Sequence, residues 1–333
     1  MVRVRVLKRR SAVPEIRRVA ILDDYQGVAH RYADWSALPD NARITVFTEP
    51  LGGADDVVAA LRPFDVVVAM RERTAFPATV VDRLPNLCLL VTTGPINAAI
   101  DVAAARQRGI MVSGTRGAGL TATAELTWAL IHALTRSIPA EDRGVRTGAW
   151  QQSVGRDLHG VRLGVIGLGA VGTSVARIGL AFGMDVVAWS SHLDQAHARA
   201  VGVTPVGKEE LLTTSGIVTV HLKLSARTAG LLGRRELGLM RPDALLVNTS
   251  RAALIDEQAL VEALHSGSIG GAALDVHPVE PLPLDSPWRT APRTVLTPHL
   301  GYVTEGTYNI FFSDALEGIL AYAAGAPIRV VAS

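Results

Sequence analysis

The sequence predicts an α/β protein of two doubly wound parallel-sheet domains, one inserted into the other. Three observations carry this. Short β-branched runs alternate with helical patterns along the whole chain of 333 residues. That length exceeds what a single core usually holds, so two domains are expected. A glycine-rich turn, Gly167-Leu168-Gly169-Ala170-Val171-Gly172, stands between a strand pattern and a helix pattern near mid-chain, after a full α/β set is complete.

The elements follow in order. Residues 1–18 hold Arg3, Arg5, Lys8, Arg9, Arg10, Arg17 and Arg18 against Glu15, a net +6 in a chain whose total is +2. The remainder carries −4, which argues against a body built to bind nucleic acid. Residues 1–17 are read as a flexible basic extension, since VRVRVL lacks the apolar run of a secretory signal. The first strand set is VAIL (19–22), ITVF (44–47), DVVVA (65–69), LCLLVTT (87–93) and IMVS (110–113). Cys88 is the lone cysteine, so no intrachain disulfide forms, and its apolar run makes it a buried core thiol. The stretch TATAELTWALIHALTRSIPAEDRGV reads as one long helix leading to the next domain. Thr121 or Thr123 serves as its cap and Pro139 as its stop. The second strand set is RLGVIG (162–167), DVVAW (185–189), IVTVHL (217–222), ALLVN (244–248), GAALDV (271–276) and TVLTPH (294–299). Six strands are the count of a full dinucleotide-binding sheet. The amphipathic tail after 300 is expected to return to the first domain. Residues 18–118 with 301–333 therefore form one domain and 119–300 the other. No charge-free run of 18 apolar residues occurs, so no membrane span is expected, and the cytoplasm is the expected compartment.

The glycines have distinct tasks. Gly167 permits the tight turn, Gly169 lets a pyrophosphate approach the backbone, and Gly172 lets helix and strand pack closely. Ala170 and Val171 open the helix whose free N–H groups face the anion. Dinucleotide folds usually place an acid about 20 residues later to grip the ribose hydroxyls. Here Ser190 stands in its place, followed by Ser191 and His192. The missing acid predicts tolerance of NADP as well as NAD. No arginine follows the strand directly, and Lys223 is a further cation near the site.

Reducing a carbonyl needs a cation to polarise it and an acid to protonate its oxygen. Open α/β sheets place such groups at the carboxyl ends of strands. Arg251 follows ALLVNTS, Glu280 lies in DVHPVEPLP, and His299 ends TVLTPH. Each alone has a bland reading: a surface arginine, a solvated acid, a structural histidine. Together they make a set that the other eight histidines do not. No metal is expected.

The segments GLGAVG (167–172), NTSRAALIDEQAL (248–260), ALDVHPVEPLPLDSP (273–287) and TPHLG (297–301) resemble, in this order, the D-isomer-specific 2-hydroxyacid dehydrogenase family. That family includes phosphoglycerate dehydrogenase and glyoxylate/hydroxypyruvate reductases. The resemblance runs from residue 18 to the end. It implies a Rossmann domain inserted into a flavodoxin-like substrate domain, NAD or NADP as cofactor, a small 2-keto or 2-hydroxy acid as substrate, and a homodimer. By this resemblance Arg251 binds substrate, His299 is the acid/base, and Glu280 pairs with it, raising the imidazole pKa as a carboxylate partner does. Asp275 resembles the acid near the nicotinamide carboxamide, and Thr249 is a further cofactor contact. Arg71 in MRERT resembles the arginine of the substrate loop. Thr93 and Gly94 in TTGPIN resemble the backbone site for the substrate carboxylate.

Several features depart from the family. TTGPINAAID is about two residues longer than the commoner loop. Tyr302 replaces a glycine after TPHLG; it either shapes the pocket or simply packs. Lys223 replaces a common proline. A chain ending at 333 is expected to lack the regulatory domain of some phosphoglycerate dehydrogenases. Two rivals share the fold: a nucleotide-sensing corepressor-like binding protein, and a phosphite or formate dehydrogenase. Glu280 disfavours the formate branch, which carries Gln there.

Overall fold

The computed structural model describes residues 15–332. The chain divides into two units, one of residues up to Ala118 together with Glu305 onward, the other Gly119–Thr304.

In the first unit, β1 (Arg18–Ile21), β2 (Arg43–Val46), β3 (Val66–Ala69), β4 (Leu89–Thr92) and β5 (Met111–Gly114) pair in parallel, in the order β2-β1-β3-β4-β5. β3 and β4 are buried at every position. Continuous Val/Leu runs are what a parallel sheet covered on both faces requires. The strand order reverses between β1 and β3, a doubly wound arrangement whose carboxyl ends form the ligand-binding edge. Cys88 is buried, as expected, with its Sγ donating to the Asp65 carbonyl at 3.1 Å. The helix Glu305–Ala323 packs into this unit through Tyr308, Phe311, Phe312 and Ile319. Tyr308 and Phe312 meet edge to face, and Tyr32 stacks on Phe312.

In the second unit, β6 (Arg162–Ile166), β7 (Asp185–Trp189), β8 (Thr204–Pro205), β9 (Ile217–Val220), β10 (Leu245–Asn248), β11 (Gly271–Leu274) and β12 (Thr294–Leu296) form a parallel sheet in the order β12-β11-β10-β9-β6-β7-β8. β6, where the order reverses, has β7 on one side and β9 on the other.

The structure corrects the sequence reading at several points. The second sheet has seven strands, not six. β8 is only two residues long and contains Pro205, which the edge of a sheet accepts because it leaves no ladder bond unmade within the sheet. The single long helix is two: Leu120–Thr135, then Ile138–Arg146. Ser137 in the left-handed region ends the first, and Pro139 opens the second rather than stopping anything. The first helix starts from Gly119, with no side-chain cap. Thr123 instead donates its hydroxyl to the Gly119 and Gly301 carbonyls. The return to the first unit comes at Glu305 rather than 301, because the Gly301 N–H binds Asp275 and Tyr302 packs on His299. Of the expected extension 1–17, residues 1–14 lie outside the described residues. Residues 15–17 do not behave as an extension: Ile16 is buried, and the Arg17 and Arg18 N–H groups both donate to Asp65.

Candidate active site

The turn between β6 and the helix Ala170–Ala181 is built by its glycines. Gly167 has φ +97°, and a Cβ there would lie 2.8 Å from the His221 carbonyl oxygen. A Cβ on Gly172 would lie 2.0 Å from the Gly167 oxygen, so only glycine lets the helix sit this close. A Cβ on Gly169 would meet nothing within 4 Å. That open space borders the first turn of a 12-residue helix with no side-chain cap. Ala170 and Val171 begin that helix. Free N–H groups at a helix N-terminus facing an open cradle suit a pyrophosphate, so the residues present fit a dinucleotide.

Both flanks of the turn are tied to it. The Gly167 N–H donates to Trp189 O at 2.8 Å, and the His221 N–H donates to Ile166 O at 2.8 Å. Ser190, Ser191 and His192 therefore leave β7 directly beside the turn. A Leu193 N–H to Ser190 O bond closes them into a tight loop.

His299 and Glu280 come together. The His299 Nδ1 lies 2.7 Å from Glu280 Oε2, and the other oxygen, Oε1, accepts the His277 backbone N–H at 2.9 Å. Burial opposes a charge on Glu280. The hydrogen bond and charge of His299, with the His277 N–H, outweigh it and hold this carboxyl below its usual range. The His299 backbone sits at φ +56°, a region non-glycine residues seldom adopt. Such strain costs on the order of 1–3 kcal/mol and persists where surrounding bonds over-determine it. Those bonds come from Asp275, whose carboxylate accepts the Leu300 N–H at 2.7 Å, the Gly301 N–H at 2.8 Å and the Thr297 hydroxyl at 2.6 Å. Asp275 is fully buried, and burial raises its carboxyl pKa despite these donors. The visible work of Asp275 is thus to hold the His299 loop, not to reach outward. Tyr302 is buried and meets the His299 ring in a T-shaped arrangement, centroids 5.5 Å apart.

Arg251 follows the carboxyl end of β10, which pairs with β11, and β12 lies one strand further along the same sheet edge. Asn248 shapes its turn, accepting the Ser250 N–H and donating to Arg251 O, while Arg251 Nη1 donates to Ser250 O at 2.8 Å. Ser250 Oγ donates to Val220 O, tying this end to that of β9. Thr249 is buried with its hydroxyl 2.9 Å from that of Thr127, so it joins helix to strand rather than presenting a hydroxyl to a ligand.

In the first unit, the three sequence candidates meet. Arg71, also left-handed at φ +52°, donates its N–H to Thr93 Oγ1 and its Nη1 to Thr93 O. A Cβ on Gly94 would strike Arg71 Nη1 at 1.9 Å. The expected backbone carboxylate site needs correction, because both N–H groups are already engaged. Thr93 donates to Ala69 O, and Gly94 donates to Thr115 Oγ1. The cation of this cluster is the Arg71 guanidinium, whose Nη2 also lies 3.7 Å from Glu72 Oε1.

Three residues escaped the sequence reading. His221 directly follows β9 and is buried against Thr219 Oγ1 at 2.9 Å, where desolvation pushes its pKa down to about 3. His277 donates Nε2–H to Thr297 O at 3.0 Å. Both occupy the strand-end positions that singled out His299, so the same rule would have found them. Arg227, whose Nη1 donates to His192 Nε2 at 3.4 Å, carried no such local signal.

A family model for the D-isomer specific 2-hydroxyacid dehydrogenase NAD binding domain matches residues 128–301. The chain belongs to the D-isomer-specific 2-hydroxyacid dehydrogenase family. It is 35% identical over 278 residues to the D-3-phosphoglycerate dehydrogenase of Archaeoglobus fulgidus, covering 83% of this chain and 52% of that one. It is 40% identical over 235 residues to the glyoxylate reductase of Aeropyrum pernix, covering 68% of this chain and 70% of that one. The solved phosphoglycerate oxidoreductase of Vibrio cholerae superposes with a TM-score of 0.88 at 34% identity, covering 93% of this chain and 100% of that one. The chain spans about half the length of the curated phosphoglycerate dehydrogenases it matches. As a member of this 2-hydroxyacid dehydrogenase family it carries a nicotinamide-dinucleotide domain. Among the described residues no helix is long and apolar enough to cross a membrane.

Proposed function

We propose that the protein is an NAD(P)-dependent oxidoreductase interconverting a small 2-keto acid and a D-2-hydroxy acid. The observation that carries this is the 2.7 Å His299–Glu280 pair, set on the same sheet edge as the glycine turn and Arg251. A bound nicotinamide cofactor supplies or accepts the hydride. In reduction, the carbonyl carbon gains the hydride while the His299 ring gives its Nε2 proton to the oxygen; solvent then reloads the ring. Glu280 accepts from Nδ1, which fixes the tautomer and stabilises the cationic ring. Arg251 holds the substrate carboxylate and polarises the carbonyl with its planar fork. In the first unit Arg71 is the substrate-binding candidate. The absence of an acid at Ser190 supports tolerance of NADP.

The proposed assembly is a homodimer. Ile138, Val145, Trp150 and Val154 expose apolar side chains on neighbouring segments of the second unit, Trp150 at 77% and Val154 at 100%. Large apolar side chains left exposed in one stretch of the chain are candidates for a protein interface.

The test is a panel of 2-keto acids, among them glyoxylate and hydroxypyruvate, assayed with NADH and NADPH, with the chirality of the product determined. Steady turnover to a D-2-hydroxy acid supports the reading. Nucleotide binding with no turnover of any member would favour a nucleotide-sensing protein instead.

A further inference from the structure

The sheet order places the loops after β7 and β9 on opposite flanks of the β6 turn. They meet across it. Arg227, from the loop after β9, donates Nη1–H to His192 Nε2, from the loop after β7, at 3.4 Å. The Arg227 loop is a built turn. The Ser225 N–H donates to Thr228 Oγ1, the Thr228 and Ala229 N–H groups donate to Ser225 O, and Thr228 Oγ1 donates to Lys223 O. Gly230 N–H to Ala253 O anchors it to the segment that follows Arg251.

The charge here is uncompensated. Among the described residues Arg227 is paired with no carboxylate. The acid nearest His192 in sequence, Asp194, is committed as a helix cap, its Oδ1 accepting the His197 N–H at 2.9 Å, and the acid nearest Arg227, Glu236, pairs with Lys208 at 2.9 Å. An exposed guanidinium donating to an exposed imidazole, with two serine hydroxyls on the adjoining turn, presents several donors and no acceptor of negative sign. In a dinucleotide fold the end of this strand is where the adenosine ribose lies, and its 2′ substituent is read there.

We propose that Arg227, with His192 beside it, forms a clamp for the 2′-phosphate of NADP(H) and is the residue that sets cofactor preference in this chain. The inference rests on the dinucleotide reading of the glycine turn. A planar fork suits a phosphate better than a point charge does. The clamp spans two loops that share no sequence neighbourhood, which is why the strand following the glycine turn alone shows no arginine.

The test is calorimetric binding of 2′,5′-ADP, 5′-AMP and NADH to the wild type and to Arg227→Ala. The expected result is tighter binding of 2′,5′-ADP than of 5′-AMP by the wild type. In Arg227→Ala the 2′,5′-ADP affinity falls about tenfold or more, the loss expected for a charge-assisted contact, while 5′-AMP affinity is unchanged. Equal affinities for the two nucleotides in the wild type, or equal losses in the variant, would overturn the clamp while NADH binding leaves the dinucleotide reading intact. Failure of all three ligands to bind the wild type would overturn the dinucleotide reading, and the clamp with it.

Discussion

At the residue scale, Glu280 makes the sharpest claim. Its carboxyl is held below the usual range, so it remains an anion next to His299 as the pH falls toward the mid-acid region. In Glu280→Gln the side chain can still accept from Nδ1, but the negative charge that stabilises a protonated ring is gone. The pH profile for keto-acid reduction should therefore move to lower pH, with a smaller change in KM than in kcat. An unmoved profile would remove the proposed pairing. Arg251 tests the cation. Lysine keeps the charge but loses the planar fork that can bridge a carboxylate and a carbonyl. Arg251→Lys should lower kcat/KM by about a hundredfold, equivalent to roughly 2.7 kcal/mol of lost transition-state stabilisation, with an unchanged melting temperature. Wild-type kinetics in this variant would show that Arg251 does not engage the substrate.

At the scale of elements, the glycine turn separates space from strain. A methyl on Gly172 drives into the Gly167 carbonyl, whereas a methyl on Gly169 enters open space. Gly172→Ala should therefore destabilise the fold by about 1–3 kcal/mol, the usual range for overpacking, seen as a lower midpoint of urea unfolding. Gly169→Ala should unfold like the wild type yet bind NADH more weakly, because the methyl occupies the approach of the pyrophosphate. If Gly169→Ala bound NADH normally, the cradle would not be the binding site. This turn was legible in sequence because its requirements are local: strand, three glycines at fixed spacing, helix. The strands were legible for the same reason, since buried parallel strands read as apolar runs. What escaped depends on distant partners or on short pieces. β8 has two residues, one of them a proline. Pro139 carries the same local signal whether it stops one helix or opens the next, and only the left-handed Ser137 decides. Thr93 and Gly94 look like an open backbone site until Ala69 and Thr115 are seen to take their N–H groups. Arg227 lies 35 positions from His192, a distance no local pattern spans.

At the scale of the molecule, the exposed apolar side chains of the second unit set the expectation for assembly. A specific dimer interface needs well over 1,000 Å² of buried surface with an apolar, often aromatic centre. Trp150 is the side chain best suited to that centre. Trp150→Glu should convert a dimer to a monomer in sedimentation velocity at micromolar concentration while leaving the monomer's circular dichroism intact. A variant that still sediments as a dimer would place the interface elsewhere.

His299 is the proposed proton donor of a hydride-transfer reaction. Its most direct test compares wild type with His299→Ala in reduction of glyoxylate and hydroxypyruvate, with NADH and NADPH binding measured on the same preparations. The wild type should turn over, kcat should fall about 10²–10⁴-fold in the variant, and nucleotide affinities should stay equal. A kcat in His299→Ala close to that of the wild type would contradict that role.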